Sequence, residues 1–181
     1  MSSWRALARR VRVPISFAFA ALYAWLAKPT IFSIVLGTIL IVPGLMVRAL
    51  ASGYVQKNEQ LATSGPYAYT RNPLYLGSFI LAAGFALAAR SWWLALAMIV
   101  ILLAIYIPVI SAEEDFLRER FPQFAEYAHQ VPRLFPRFRG AARGGPNFSW
   151  TLYRRHREYN AVLGAAAMIA TLVAKLLLTS H

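Results

Sequence analysis

GPYAYTRNPLYLG (65–77) and EEDFLRERFPQFAEYAHQVPRLFP (113–136) bracket a mostly apolar stretch, and the order of these three pieces decides the fold. Two apolar segments, 74–89 and 92–110, lie between the polar pieces, separated by Arg90 and Ser91. Segments of that kind and length form helices, and two consecutive helices with a short connection form a hairpin whose outer ends are neighbours. The kinked basic stretch before the hairpin and the acidic doublet after it therefore meet at one membrane face.

Working outward, the whole chain has the composition of a small integral membrane protein. Hydrophobic residues make up 59% of 181 residues and charged residues 14%, too apolar for an ordinary soluble domain. With no cysteine, disulfides, thiolate nucleophiles and Cys-held metals are excluded, and no metal site is expected. Five apolar segments are read: 13–27, 31–47, 74–89, 92–110 and 161–178. At about 1.5 Å per residue, the last two nearly cross a hydrocarbon core of about 30 Å, whereas 13–27 and 74–89 need flanking residues to do so. The first resembles a signal peptide in its Arg-rich lead, but Lys28-Pro29 and a second apolar helix follow without a small-residue cleavage site, so a retained helix is expected. The expected fold class is all-α, a polytopic membrane protein with about five transmembrane helices. Residues 1–181 form one membrane domain: a hairpin at 13–51, a core at 57–137, and an interfacial segment plus a further helix at 146–181.

All but three of the 19 basic residues (Lys28, Arg90 and Lys175) fall on one side of this arrangement, as do all 7 acidic residues. The positive-inside rule then puts the N-terminus and both long polar loops in the cytoplasm. A net charge of +12 raises the question of nucleic acid, but the arginines adjoin membrane segments and interleave with aromatics. Anionic lipid headgroups are the expected partner, with no nucleic acid. In PNFSWTLYRRHREY (146–159), Trp150 and Tyr153 suit the interface and Arg154, Arg155 and Arg157 suit phosphates, which makes His156 a solvated neighbour.

Within the bracket, Asn72 is a good N-cap and Pro73 is at home in a first helical turn, so a helix begins there. That accounts for neither Arg71, set beside the positive end of a helix dipole, nor the three acids Glu113, Glu114 and Asp115, set near the negative end of the next helix. If that helix continues, Glu114 and Asp115 can both pair with Arg118. Glu113 has Phe116 and Leu117 at the corresponding positions, so its partner is expected elsewhere in the fold or in a bound cation. Tyr67, Tyr69 and Tyr75 add aromatic surface for a ligand or for the interface.

These two motifs, in this order around a small-residue hairpin containing Gly84, resemble the isoprenylcysteine carboxyl methyltransferase family and its phospholipid methyltransferase relatives over roughly residues 57–137. The resemblance implies an S-adenosylmethionine pocket open to the cytosol and a tunnel for a lipophilic acceptor. It implies cofactor-binding roles for Tyr67, Arg71, Asn72, Pro73, Tyr75, Gly77, Glu113 and Glu114, with Arg71 and Glu113 catalytic. Asn72 stands where the eukaryotic prenylcysteine enzymes have His, and an amide cannot titrate near neutrality. Pro122 stands where Gly is frequent in the second motif. A carboxylate acceptor needs no base, whereas an amine must first lose a proton. The expected reaction is methyl transfer to a lipophilic acceptor, a carboxylate first. A phospholipid amine, an NADPH-dependent membrane reductase of related architecture and a non-enzymatic lipid-binding protein are the alternatives.

Overall fold

A computed structural model describes residues 19–56, 59–138 and 147–179, and every regular element among them is helical. In chain order these are α1 (19–26), α2 (Ile31–Ser52), a 3₁₀ turn (Gly65–Ala68), α3 (Pro73–Ala89), α4 (Trp92–Arg120), α5 (Phe124–Gln130), α6 (Trp150–Arg155) and α7 (Tyr159–Thr179). Three of them, α2, α4 and α7, are long and apolar enough to cross a membrane, and α3 is a shorter apolar helix. The all-helical membrane architecture is as expected. The boundaries sharpen it: α2 runs on to Ser52 and so contains Arg48, and α4 continues ten residues past Ile110. At 1.5 Å per residue its 29 residues reach about 43 Å, so an apolar run that fills a bilayer core still leaves a projecting polar end.

The closest packing lies between α2 and α3, antiparallel across two glycine pairs. A Cβ on Gly37 would sit 2.5 Å from the Gly84 carbonyl oxygen, and one on Gly77 would sit 2.8 Å from that of Gly44. Backbone meets backbone there, which suits helices in lipid, where apolar side chains gain little by leaving the hydrocarbon and small residues allow close van der Waals contact. Large apolar side chains point outward instead, among them Ile31, Phe32, Ile39, Ile99 and Leu163.

Each end of this pair is tied down by polar contacts. At the end where α2 begins, Thr30 and Ser33 form a capping box, Ser33 Oγ also donates to the Ala88 carbonyl (3.1 Å), and Lys28 N donates to Ala89 O (2.8 Å). Tyr23 Oη donates to Phe85 O (2.7 Å), and Lys175 Nζ of α7 donates to Ala24 O (2.8 Å) and Trp25 O (2.5 Å), finishing the last turn of α1. At the other end, called the polar end below, Arg48 of α2 makes a two-pronged ion pair with Glu158 (3.0 and 2.9 Å) and donates to Ser78 Oγ of α3 (2.5 Å). Ser149 N donates to Gly53 O (2.9 Å), and the Phe148 ring covers Gly53. His156 is not simply solvated: its Nδ1 lies 3.0 Å from Ser52 O, so a protonated Nδ1 donates to that carbonyl.

Candidate active site

At the polar end, α3 begins at Pro73 while α4 passes alongside on its way out, and the chain after α5 returns across both. Residues 69–72 and 132–137 are stitched together. Arg71 N donates to Pro132 O (2.9 Å), Arg137 N to Tyr69 O (3.0 Å), Thr70 Oγ1 to Leu134 O (2.9 Å) and Asn72 Nδ2 to Arg133 O (2.9 Å). The 3₁₀ turn before this strip starts at Gly65, whose positive φ of 58° and overlying Tyr54 ring leave no room for a side chain.

Glu114 is the electrostatic centre. It is buried, and its Oε1 accepts from Asn72 Nδ2 (3.0 Å) and lies 3.5 Å from Arg71 Nε, while Oε2 lies 3.3 Å from Arg133 Nε. This corrects two expectations. Asn72 occupies the N-cap position but its side chain does not cap α3; it reaches across to Glu114. Glu114 pairs with Arg71 and Arg133 rather than Arg118, because it lies on the inner face of α4 while Arg118 is exposed. The awkward position of Arg71 beside a positive helix end is thereby resolved by a carboxylate.

Glu113 is exposed, and its Oε2 accepts from Tyr75 Oη at 2.9 Å. The partner expected elsewhere in the fold is thus a tyrosine of α3. Tyr75 in turn packs on Tyr106 (ring centroids 5.2 Å apart), and Tyr106 packs on Phe79 (5.7 Å), which makes an aromatic row leading from the polar end into the apolar part of α3 and α4.

A cavity of about 170 Å³ opens among these residues. Tyr67, Arg71, Asn72, Pro73, Tyr75, Glu113 and Glu114 all line it. Gly77 does not: it faces α2, where Arg48 Cγ and Gly44 O leave no space for a Cβ, so its role is close helix packing. Gln56, Gln60, Phe116, Phe124 and Tyr127 also line the cavity without having been picked out from the sequence. Tyr127 Oη donates to Tyr67 O (2.7 Å). Burial, with the Glu113 charge adding to it, pushes the Tyr67 phenol well above its ordinary range. Burial does the same at Tyr127 against the opposing pull of Arg71. Both phenols are neutral donors at any working pH.

The donor set fits a zwitterionic ligand. Arg71, whose buried Nε faces Glu114 at 3.5 Å without a hydrogen bond, borders a cavity whose rim carries the exposed carboxylate of Glu113. Phe116, Leu117 and Phe124 provide apolar wall for a flat ring. The cavity's enclosed volume is below the roughly 300–1,000 Å³ usual for small-molecule pockets.

The phospholipid methyltransferase family model matches residues 30–123, which takes in α2, α3, α4 and all seven of the expected site residues that line the cavity, and stops before Tyr127 and Arg133. The chain is 32% identical over 154 residues to the cobalt-zinc-cadmium resistance protein CzcN of Cupriavidus metallidurans, covering 78% of this chain and 68% of that protein. It is 35% identical over 82 residues to the nickel-cobalt-cadmium resistance protein NccN of Alcaligenes xylosoxydans xylosoxydans, covering 45% of this chain and 38% of that protein. No solved structure matches.

Proposed function

Because the chain belongs to the phospholipid methyltransferase family, we propose that it transfers a methyl group from S-adenosylmethionine to a lipophilic acceptor at the polar end of its bundle. The observation that carries this reading is the convergence of Arg71 and Glu113 on one cavity at the end of a membrane-spanning pair. Charge asymmetry supports a cytoplasmic position for that end, and the clustered arginines favour bilayers with anionic headgroups.

Bound there, S-adenosylmethionine supplies an electrophilic methyl group on a positively charged sulfur. Arg71 holds a carboxylate of donor or acceptor by charge-assisted hydrogen bonds, and Glu113 takes the ammonium or ribose hydroxyls. Glu114, fully engaged by Asn72, Arg71 and Arg133, positions Arg71 rather than touching the ligand. Asn72 cannot act as a base. Among the described residues no histidine lines the cavity, which favours an acceptor that is already anionic, a carboxylate, for which alignment and exclusion of water suffice. A phospholipid amine is the second reading, and there Glu113 removes the proton. The metal-resistance names belong to the relatives. In this chain no group of three or more His, Cys, Asp or Glu gathers among the described residues, and methyl transfer is the reading the cavity supports.

The test is calorimetry of detergent-purified protein with S-adenosylmethionine, beside NADPH and beside Arg71→Ala and Glu113→Ala. Saturable binding of the donor, lost in both variants, supports the proposal and justifies a screen of lipid carboxylates and amines. Binding of NADPH alone, or of neither by folded protein, overturns it.

A further inference from the structure

The segment 131–138, VPRLFPRF, carries two phenylalanines that remain largely open, Phe135 82% and Phe138 80% exposed, the second with its ring 5.5 Å from that of Tyr69. Its backbone is nevertheless fixed, because the carbonyls of Pro132, Arg133 and Leu134 and the N–H of Arg137 are all taken by residues 69–72. Arg133 and Arg137 alternate with the phenylalanines, and no acid interrupts them.

The depth of this segment relative to α4 can be worked out. The apolar run of α4 ends at Ile110, and Arg133 Nη2 donates to Ser111 Oγ at 2.7 Å while its Nε lies 3.3 Å from Glu114. Ser111 and Glu114 are about 4.5 Å apart along the helix axis, and the headgroup layer on each side of a bilayer is roughly 5–7 Å deep. The Arg133 guanidinium is therefore level with the headgroups whenever the apolar run of α4 fills the core.

We propose that 131–138 is a membrane-interface wedge, with Phe135 and Phe138 seated among lipid headgroups and acyl-chain ends and Arg137 on anionic headgroups. Aromatic rings beside arginines suit that layer, where one end of a side chain is apolar and the other wet. Since Arg133 joins the wedge to Glu114, seating it sets the cavity mouth at the bilayer surface. The inference stands apart from the chemistry proposed above and needs no donor to test.

A chain without cysteine accepts single labels cleanly. Phe135→Cys and Phe138→Cys, one at a time so that the other ring remains, carry a nitroxide in nanodiscs of phosphatidylcholine with or without phosphatidylglycerol. Relaxation by oxygen, which concentrates in lipid, is compared with that by a water-soluble nickel chelate. Ile99→Cys on the spanning part of α4 and Glu119→Cys beyond it are the references. At both positions the oxygen-to-chelate ratio is expected to lie well above that of Glu119 and to rise further with phosphatidylglycerol, a rise that Arg137→Gln removes. Ratios equal to that of Glu119 overturn the proposal. Labels shielded from both relaxants also overturn it, by placing protein on this surface.

Discussion

Replacing Glu114 by Gln removes one charge and almost no volume, which isolates the electrostatic work of the most buried acid among the described residues. The amide still offers Asn72 an acceptor, but a neutral one, and that exchange costs about 1 kcal/mol. Arg71, with a side chain only 14% exposed, loses its carboxylate. Stripping one partner from a buried pair costs about 3–5 kcal/mol, and the residual exposure and the long 3.5 Å contact bring this nearer 2. Arg133 is 44% exposed and adds well under 1 kcal/mol. The sum is about 3–4 kcal/mol, or roughly 10 °C in Tm for a chain of this size. Glu113→Gln alters one hydrogen bond at an exposed carboxylate and costs less than about 1 kcal/mol. Thermal unfolding of the two variants in detergent, followed by tryptophan fluorescence, reads both. A Glu114→Gln protein melting within a degree or two of the parent, or below it by less than Glu113→Gln, refutes the assignment of Glu114 as the structural keystone and Glu113 as the ligand-facing acid.

Gly37→Ala and Gly84→Ala each drive a methyl group into a facing backbone carbonyl, at 2.5 and 2.7 Å, and are expected to lower stability by about 1–3 kcal/mol in the same assay. Gly164→Ala meets nothing within 4 Å and is expected to be neutral or mildly stabilising by helix propensity. Glu158→Ala strands a partly buried Arg48 and is expected to cost about 2–4 kcal/mol, with a double-mutant cycle to Arg48→Ala showing strong coupling. The raised Tyr67 and Tyr127 phenols favour the protonated folded state. Their contribution is fully present below about pH 10, the ordinary tyrosine value, and is lost above it as the unfolded chain ionises first, so unfolding titrations should show stability falling from there upward.

Much of this site is written in local patterns. Asn72-Pro73 marks the start of α3, the apolar run to Ile110 marks α4, and their order alone implies that 67–75 and 113–114 share one end of a hairpin. The long-range partners are another matter. Whether Glu113 or Glu114 faces inward depends on one residue of helical phase, about 100°, and the run to Ile110 does not fix it because that run is apolar on every side. Local i+4 logic offers Glu114 a pairing with Arg118, while its partners lie 42 residues earlier and 19 later in the chain. Arg133 had no periodic pattern to mark it; PRLFP reads as an irregular loop, and only the stitching to 69–72 shows where it lies. The resemblance implies a cofactor-binding role for Gly77, whereas the backbone it approaches is that of α2. A glycine reports that something is near and does not say what.

The contact of Lys175 with the carbonyls of Ala24 and Trp25 links positions 151 and 150 residues apart. At synthesis rates of about 5–20 residues per second, the end of α1 therefore waits on the order of 10–30 s for the ammonium that completes it. During biogenesis those carbonyls can be served only by water or headgroups, so the end of α1 is completed only after α7 has been made. A chain that stops before Lys175 still holds α1 to α3 through Tyr23 and Phe85 and through Lys28 and Ala89, but leaves the last carbonyls of α1 open.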